Sequence, residues 1–215
     1  MPEPPPKPPV PLLAQEMFAA EAVFQLAYGR FMQRWARLEQ AMFFWFWWVS
    51  ALPEGRARAI FYSAKNFAGR GDMLNAALDY AEVAGRYVAF GRQAIKKARQ
   101  FNSFRNGATH GEAIFDAGTK EYVMLEGKHT LPHGADTIVT VRQLEIAAEN
   151  VRELGRLMFD VRQHAGATGY PADGVASPET CLERIRALPN LADHIPPDRT
   201  PSDYGLPPPL PQAEG

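Results

Sequence analysis

The chain has 215 residues, with 23 basic and 24 acidic side chains and a single cysteine. The near-neutral balance leaves no net field for a polyanion, so any charge-driven binding has to be local, and one cysteine excludes an intramolecular disulfide framework. With 46% apolar and 11% aromatic residues the length suits one domain with extensions, and its middle can bury a core. The single cysteine and the lack of a charged-then-apolar leader at the N-terminus agree with a cytoplasmic location.

The first eleven residues hold seven of the prolines and read as a stiff, polyproline-like or disordered arm over residues 1–13. A helical domain is expected from 14 to 164. Its first helix carries one apolar stripe at alternating spacings of four and three: Phe24, Tyr28, Phe31, Trp35, Leu38, Met42, Trp45 and Val49. The run Ala41–Val49 is the strongest apolar segment, but it is far shorter than the ~20 residues of a membrane-spanning helix, so no membrane span is expected. Phe44, Phe46, Trp47 and Trp48 fall outside the stripe. Either the bundle encloses that end or a second subunit covers it. Glu39, set among apolar neighbours, is expected to pair with an arginine of the bundle. Pro53 closes the helix.

A second helix is expected from Glu54 to about Phe67 and a third from Asp72 to about Ala84, with Gly69 and Gly71 as the break between them. A fourth, basic helix runs from Arg86 to about Phe104. The segment Tyr122–Leu131 reads as a short hairpin turning at Gly127. The last long helix opens on a capping box, Thr140 with Gln143, and buries Leu144, Ala147, Val151, Leu154, Met158 and Val161 until Gly166 ends it. Residues 165–215 form a Pro-rich tail with one short amphipathic helix marked by Leu182, Ile185 and Leu188. The expected fold class is therefore all-α: a bundle of about five helices with a short β-hairpin insertion and Pro-rich ends. His129 and His133 are four apart, but Leu131, Pro132 and Gly134 interrupt any helix that would align them, so no metal site is expected. No Gly-rich phosphate loop follows a strand, Cys181 has no catalytic context, and no cofactor is expected.

The stretch from Arg86 to Gly111 holds Arg86, Arg92, Lys96, Lys97, Arg99 and Arg105 and no acidic residue. Such a stripe suits an anionic partner, RNA above all. Arg92, Lys96 and Arg99 fall within ~60° of one another on a helical wheel and, with Lys97, are the candidate RNA-binding residues. Lys65 and Arg70 are further candidates for phosphate contact. The plain alternative is a solvated helix face. At the end of the stretch stands Arg105-Asn106-Gly107-Ala108-Thr109-His110. An Arg followed by Asn, with His four residues later, is expected by chance only ~0.01 times in such a chain. Cleaving RNA without a metal requires deprotonation of a 2′-hydroxyl, stabilisation of charge on the phosphate, and protonation of the leaving 5′-oxygen. Arg105 suits the second task, since guanidinium is always charged and forks onto phosphate oxygens. His110 suits proton transfer. Asn106 shares a helix face with His110 and orients it or the phosphate. Arg105 and His110 lie ~140° apart on an ideal helix and would flank a cleft. The alternative reading makes both helix-end cations.

This pattern, late in a small helical bundle, resembles the HEPN domain (higher eukaryote and prokaryote nucleotide-binding domain). Arg105, Asn106 and His110 match that family's Arg, polar residue and His. "RWARLEQAM" on the first helix and "FYSAKNFAGRGDML" on the second and third are also similar, and the resemblance covers residues 14 to 164. It implies a metal-independent endoribonuclease with a composite site across a homodimer, serving a toxin, anti-phage or RNA-processing role. It also implies a possible antitoxin or regulatory protein as partner. Members neutralised by modification of a Tyr two residues past the His have no counterpart here, where Glu112 stands at that place. The alternative from another class is a noncatalytic helical module for dimerisation or nucleotide or nucleic-acid binding, with the aromatic helix as its interface.

Overall fold

A computed structural model describes residues 12–125, 138–169 and 172–189. The Pro-rich stretches 1–11 and 190–215, the turn expected at Gly127, and His129 with His133 lie outside the described residues. Six helices and a three-stranded sheet are present among the described residues, so the chain is mostly helical, with a sheet larger than the one hairpin expected.

The long first helix, α1 (Leu12–Ser50), buries its expected stripe: Phe24, Phe31, Trp35, Leu38, Met42, Trp45 and Val49 are all in the core, and Tyr28 is half-buried against it. At its end the bundle encloses Phe46 and packs partly over Phe44, Trp47 and Trp48. Phe43 and Phe46 pack on Phe61, with ring centroids 5.8 and 5.5 Å away. Trp45 stacks on Phe90 at 5.4 Å, and its indole N–H donates to the Met158 carbonyl at 2.9 Å. Trp48 meets Tyr87 edge-on. Phe44, Trp47 and Trp48 are half-buried, so the bundle covers them only in part.

The next two helices, α2 (Glu54–Ser63) and α3 (Phe67–Asp79), break earlier than expected, at residues 64–66. Asn66 decides the position: its side chain accepts the Gly69 amide at 2.8 Å and caps α3. Gly69 and Gly71 then lie inside the helix. Gly71 serves a close approach instead of a break, since a Cβ there would meet the Arg99 Nε at 3.2 Å. The fourth helix, α4 (Gly85–His110), runs through the whole motif and does not stop at Phe104. At Gly91 it presses into the core, where a Cβ would stand 2.9 Å from Leu78 Cδ1 and 3.0 Å from Trp45 Cζ3.

A hairpin follows the motif directly: β1 (Glu112–Asp116) pairs antiparallel with β2 (Glu121–Leu125), Ile114 opposite Val123. Its turn is organised by Asp116, whose carboxylate accepts the Gly118 amide at 2.8 Å. This hairpin was not expected from the sequence, although Asp116 and Gly118 carry its turn signal; of the hairpin expected at Tyr122–Leu131, only Tyr122–Leu125 are described, as part of β2. Strand β3 (Ile138–Thr140) adds antiparallel to β2, placing β2 in the middle.

The fifth helix, α5 (Val141–His164), has both hydrogen bonds of the expected capping box and buries all six residues of its expected stripe. Salt bridges and packing place Arg34 of α1 beside Glu149, and Trp45 beside Met158, so residue numbers rise together and the two helices run parallel. The last helix, α6 (Pro178–Ala187), is capped by Ser177 and starts on Pro178. Cys181 and Ile185 are fully buried in the same core as the rest, so residues 178–187 of the expected tail are packed on the bundle. Burial pushes the Cys181 thiol up to about 11, which suits an inert core group.

Candidate functional site

The motif occupies the last turn of α4, and its small residues explain its setting. Gly107 and Ala108 face inward and are buried, which brings the turn close to the core and turns Asn106 and His110 outward. Phe104, one residue before the motif, packs edge-on against Phe31 at 5.5 Å and holds the turn in place. The Thr109 hydroxyl donates to the Arg105 carbonyl, and the Gly111 amide donates to Gly107 at 3.0 Å. Beyond it Gly111 is extended and the chain enters β1.

Arg105 is half-buried. One guanidinium nitrogen donates to Asn106 Oδ1 at 3.3 Å, while its Nε is buried with no hydrogen-bond partner. Asn106 and His110 are exposed. Among the described residues no carboxylate forms an ion pair with Arg105 or His110. The helix continues to His110, so the i, i+4 relation of Asn106 to His110 and the ~140° between Arg105 and His110 apply to an actual helix. The arrangement offers a guanidinium with spare donors, an amide and an imidazole on one solvent-facing turn.

The candidate RNA-binding residues divide. Arg92 pairs with Asp79 of α3 at 2.5 Å, and Arg99 pairs with Asp72. Lys97 departs from the expectation. It is only 8% exposed, its ammonium donates to the Leu188 carbonyl at 2.8 Å, and it lies 6.0 Å from the Phe101 ring centroid. The cause is the docking of α6, which covers that side of α4; Lys97 holds the end of α6 and has no surface to give a phosphate. Lys96 is exposed beside Arg92 and Arg99 in a shallow groove with Asn75. Of the two further phosphate candidates, Lys65 is exposed, whereas Arg70 donates to Glu39 at 2.9 Å. Glu39 also accepts the Trp35 indole N–H at 3.0 Å, which is the arginine pairing expected for it.

One residue escaped the reading of the sequence. Arg162 stands in the last turn of α5, where a cation ordinarily faces solvent and the helix dipole. It is 7% exposed, with its guanidinium 5.2 Å from the Phe44 ring centroid, and burial depresses its pKa. The only sequence cue was its place directly after Val161 of the buried stripe.

No family model, curated protein or solved structure matches the chain. Among the described residues no helix is long and apolar enough to cross a membrane, and no three His, Cys, Asp or Glu side chains gather as a metal site.

Proposed function

We propose that this chain is an endoribonuclease of the HEPN type that acts on RNA as a homodimer and needs no metal ion. The observation that carries the reading is the state of the motif. On a helix whose Arg92 and Arg99 are bound to carboxylates, Arg105 and His110 are not, and they share an open turn with Asn106. In this reading the 2′-oxygen attacks phosphorus and the bond to the 5′-oxygen breaks. The 2′-hydroxyl proton passes to one His110, and the 5′-oxygen takes a proton from another. Arg105 stabilises the charge on the phosphate oxygens, and Asn106 orients the imidazole. One chain supplies one such histidine, so a two-fold dimer supplies the acid and the base together. A toxin, anti-phage or RNA-processing role, with a regulatory protein as partner, follows from the same resemblance.

The test is incubation of purified protein with single-stranded RNA in the presence of a chelator. Products ending in a 2′,3′-cyclic phosphate are expected, together with twice the chain mass by light scattering. A His110→Ala protein that still cuts would overturn the assignment. A wild type that binds RNA and cuts none of a broad panel would make the noncatalytic binding module the better reading.

A further inference from the structure

A groove of about 300 Å³ lies between the parallel helices α1 and α5, away from the motif: none of residues 105–110 lines it. Its walls are mostly apolar, with Leu38 and Phe44 from α1 and Met158 and Phe159 from α5. Gly155 opens the space, since a Cβ there would meet nothing nearer than the Leu38 Cα at 4.0 Å. Phe159 is 43% exposed on this wall.

Five arginines line the groove, and their partners sort them. Arg34 and Arg152 are both bound to Glu149. Arg156 is held by Glu153 and Asp160. Arg37 and Arg162 form no ion pair among the described residues. Arg162 is the notable one. It is more than nine-tenths buried, its Nη2 donates to the Ala167 carbonyl at 3.0 Å, and its Nε has no hydrogen-bond partner. A guanidinium taken out of water without a counter-charge is costly, and an anion in the groove would remove that cost. Its lowered pKa, caused by burial, reports the same missing counter-charge.

We propose that this groove binds a small amphiphilic carboxylate of the medium-chain fatty-acid class, its head group on Arg162 and its hydrocarbon over Leu38, Phe44 and Phe159. One buried, uncompensated positive charge matches a monoanion. Arg37, exposed at the rim, supplies attraction at the mouth. The lining runs from Arg34 to Trp45 along α1, about 16 Å of helix, which accommodates a medium chain. A nucleoside monophosphate fits less well, because its doubly charged phosphate exceeds the single buried, unpaired guanidinium. The inference does not rest on the proposed cleavage.

Titration calorimetry on the full chain tests it, with decanoate below its micelle concentration as the probe and decanol and adenosine monophosphate as comparisons. Saturable one-to-one binding of decanoate is expected, with decanol weaker by about tenfold or more, since charge-assisted hydrogen bonds are the strong ones. Arg162→Met keeps the side-chain bulk and removes the charge; it should weaken decanoate by about tenfold or more and leave melting unchanged or higher. Gly155→Leu, at a helix position with space for a side chain, should fill the groove and abolish binding, and it keeps the test alive should Arg162→Met fail to fold. Equal affinity for decanol and decanoate, tighter binding of adenosine monophosphate, wild-type affinity in either variant, or no saturable binding of decanoate would each overturn the proposal.

Discussion

Along its first four turns α4 lies against α3 and α6, and three of its five cations are met there: Arg92 by Asp79, Arg99 by Asp72, and Lys97 by the carbonyl of Leu188. On its last turn, Arg105 leans only on Asn106, and His110 faces solvent. In sequence the two halves form one uninterrupted basic stretch. In space two cations of the first half are neutralised by carboxylates and Lys97 is buried, while Lys96 stays exposed; the second half forms no ion pair among the described residues. A run of like charge is therefore a property of the chain, whereas a charged surface is a property of its neighbours, because an ion pair needs only a few ångströms and ignores sequence distance.

The sharpest way to break this contrast is to remove one cation from each half. His110→Ala should abolish RNA cleavage, and Arg105→Ala should slow it on the order of 100-fold or more, as expected for loss of a donor aimed at developing charge. Arg92→Ala should leave the rate close to wild type. Initial rates on one RNA substrate decide it, and equal losses in both halves would dissolve the distinction.

Next in size is the support of the inner half by α6. Ile185 is fully buried, so Ile185→Ala should destabilise the protein by about 2–5 kcal/mol in denaturant unfolding. A loss below about 0.5 kcal/mol, the range of ordinary surface substitutions, would detach α6 from the core and return Lys97 to the surface.

Salt dependence sharpens the contrast within the basic face. Lys96→Ala should lower the slope of log affinity against log salt by about 0.7, one phosphate contact on single-stranded RNA. Arg99→Ala should change it less, because Asp72 already holds that guanidinium. A larger change for Arg99 than for Lys96 would mean that RNA displaces the carboxylate.

The smallest effect concerns the bridge that ties α6 to α5. Glu153 accepts from Arg156 at 2.9 Å and from Arg184 at 2.5 Å, and these partners, Arg156 foremost, hold its carboxyl below the usual value of 4.5. A depressed folded-state pKa adds stability that is fully present above 4.5 and is lost as pH falls through the lower, folded value. The bridge is partly exposed, so it contributes only about 0.2–1 kcal/mol. Glu153→Gln should accordingly lower the melting temperature slightly at pH 7 and flatten its decline below pH 4.5. An unchanged acid limb would show that other carboxylates carry it.

Much of the architecture was legible from local pattern. The stripes of α1 and α5 repeat every three to four residues, and the Thr140–Gln143 box marks its own helix start, because periodicity and capping act within a few residues. That Asn106 and His110 share a helix face followed from their spacing, although the helix was expected to stop at about Phe104, before them. Where the chain offered two local signals, the stronger chemistry won: Asn66 capped α3 ahead of Gly69 and Gly71.

What tertiary structure alone decided lies between residues far apart in the chain. Whether Trp45 and Phe46 face a second subunit or their own bundle depended on Phe61, Phe90 and Met158. The side of α4 that Lys97 occupies was settled by α6, ninety-one residues later. Among the described residues Arg162 has no ion pair, because α1 brings Phe44 to it and no carboxylate. Helix formation is written in neighbours a turn away, so the sequence by itself determines it. The partner of a charge or a ring is chosen by packing among all the elements at once, which no local stretch of this chain contains.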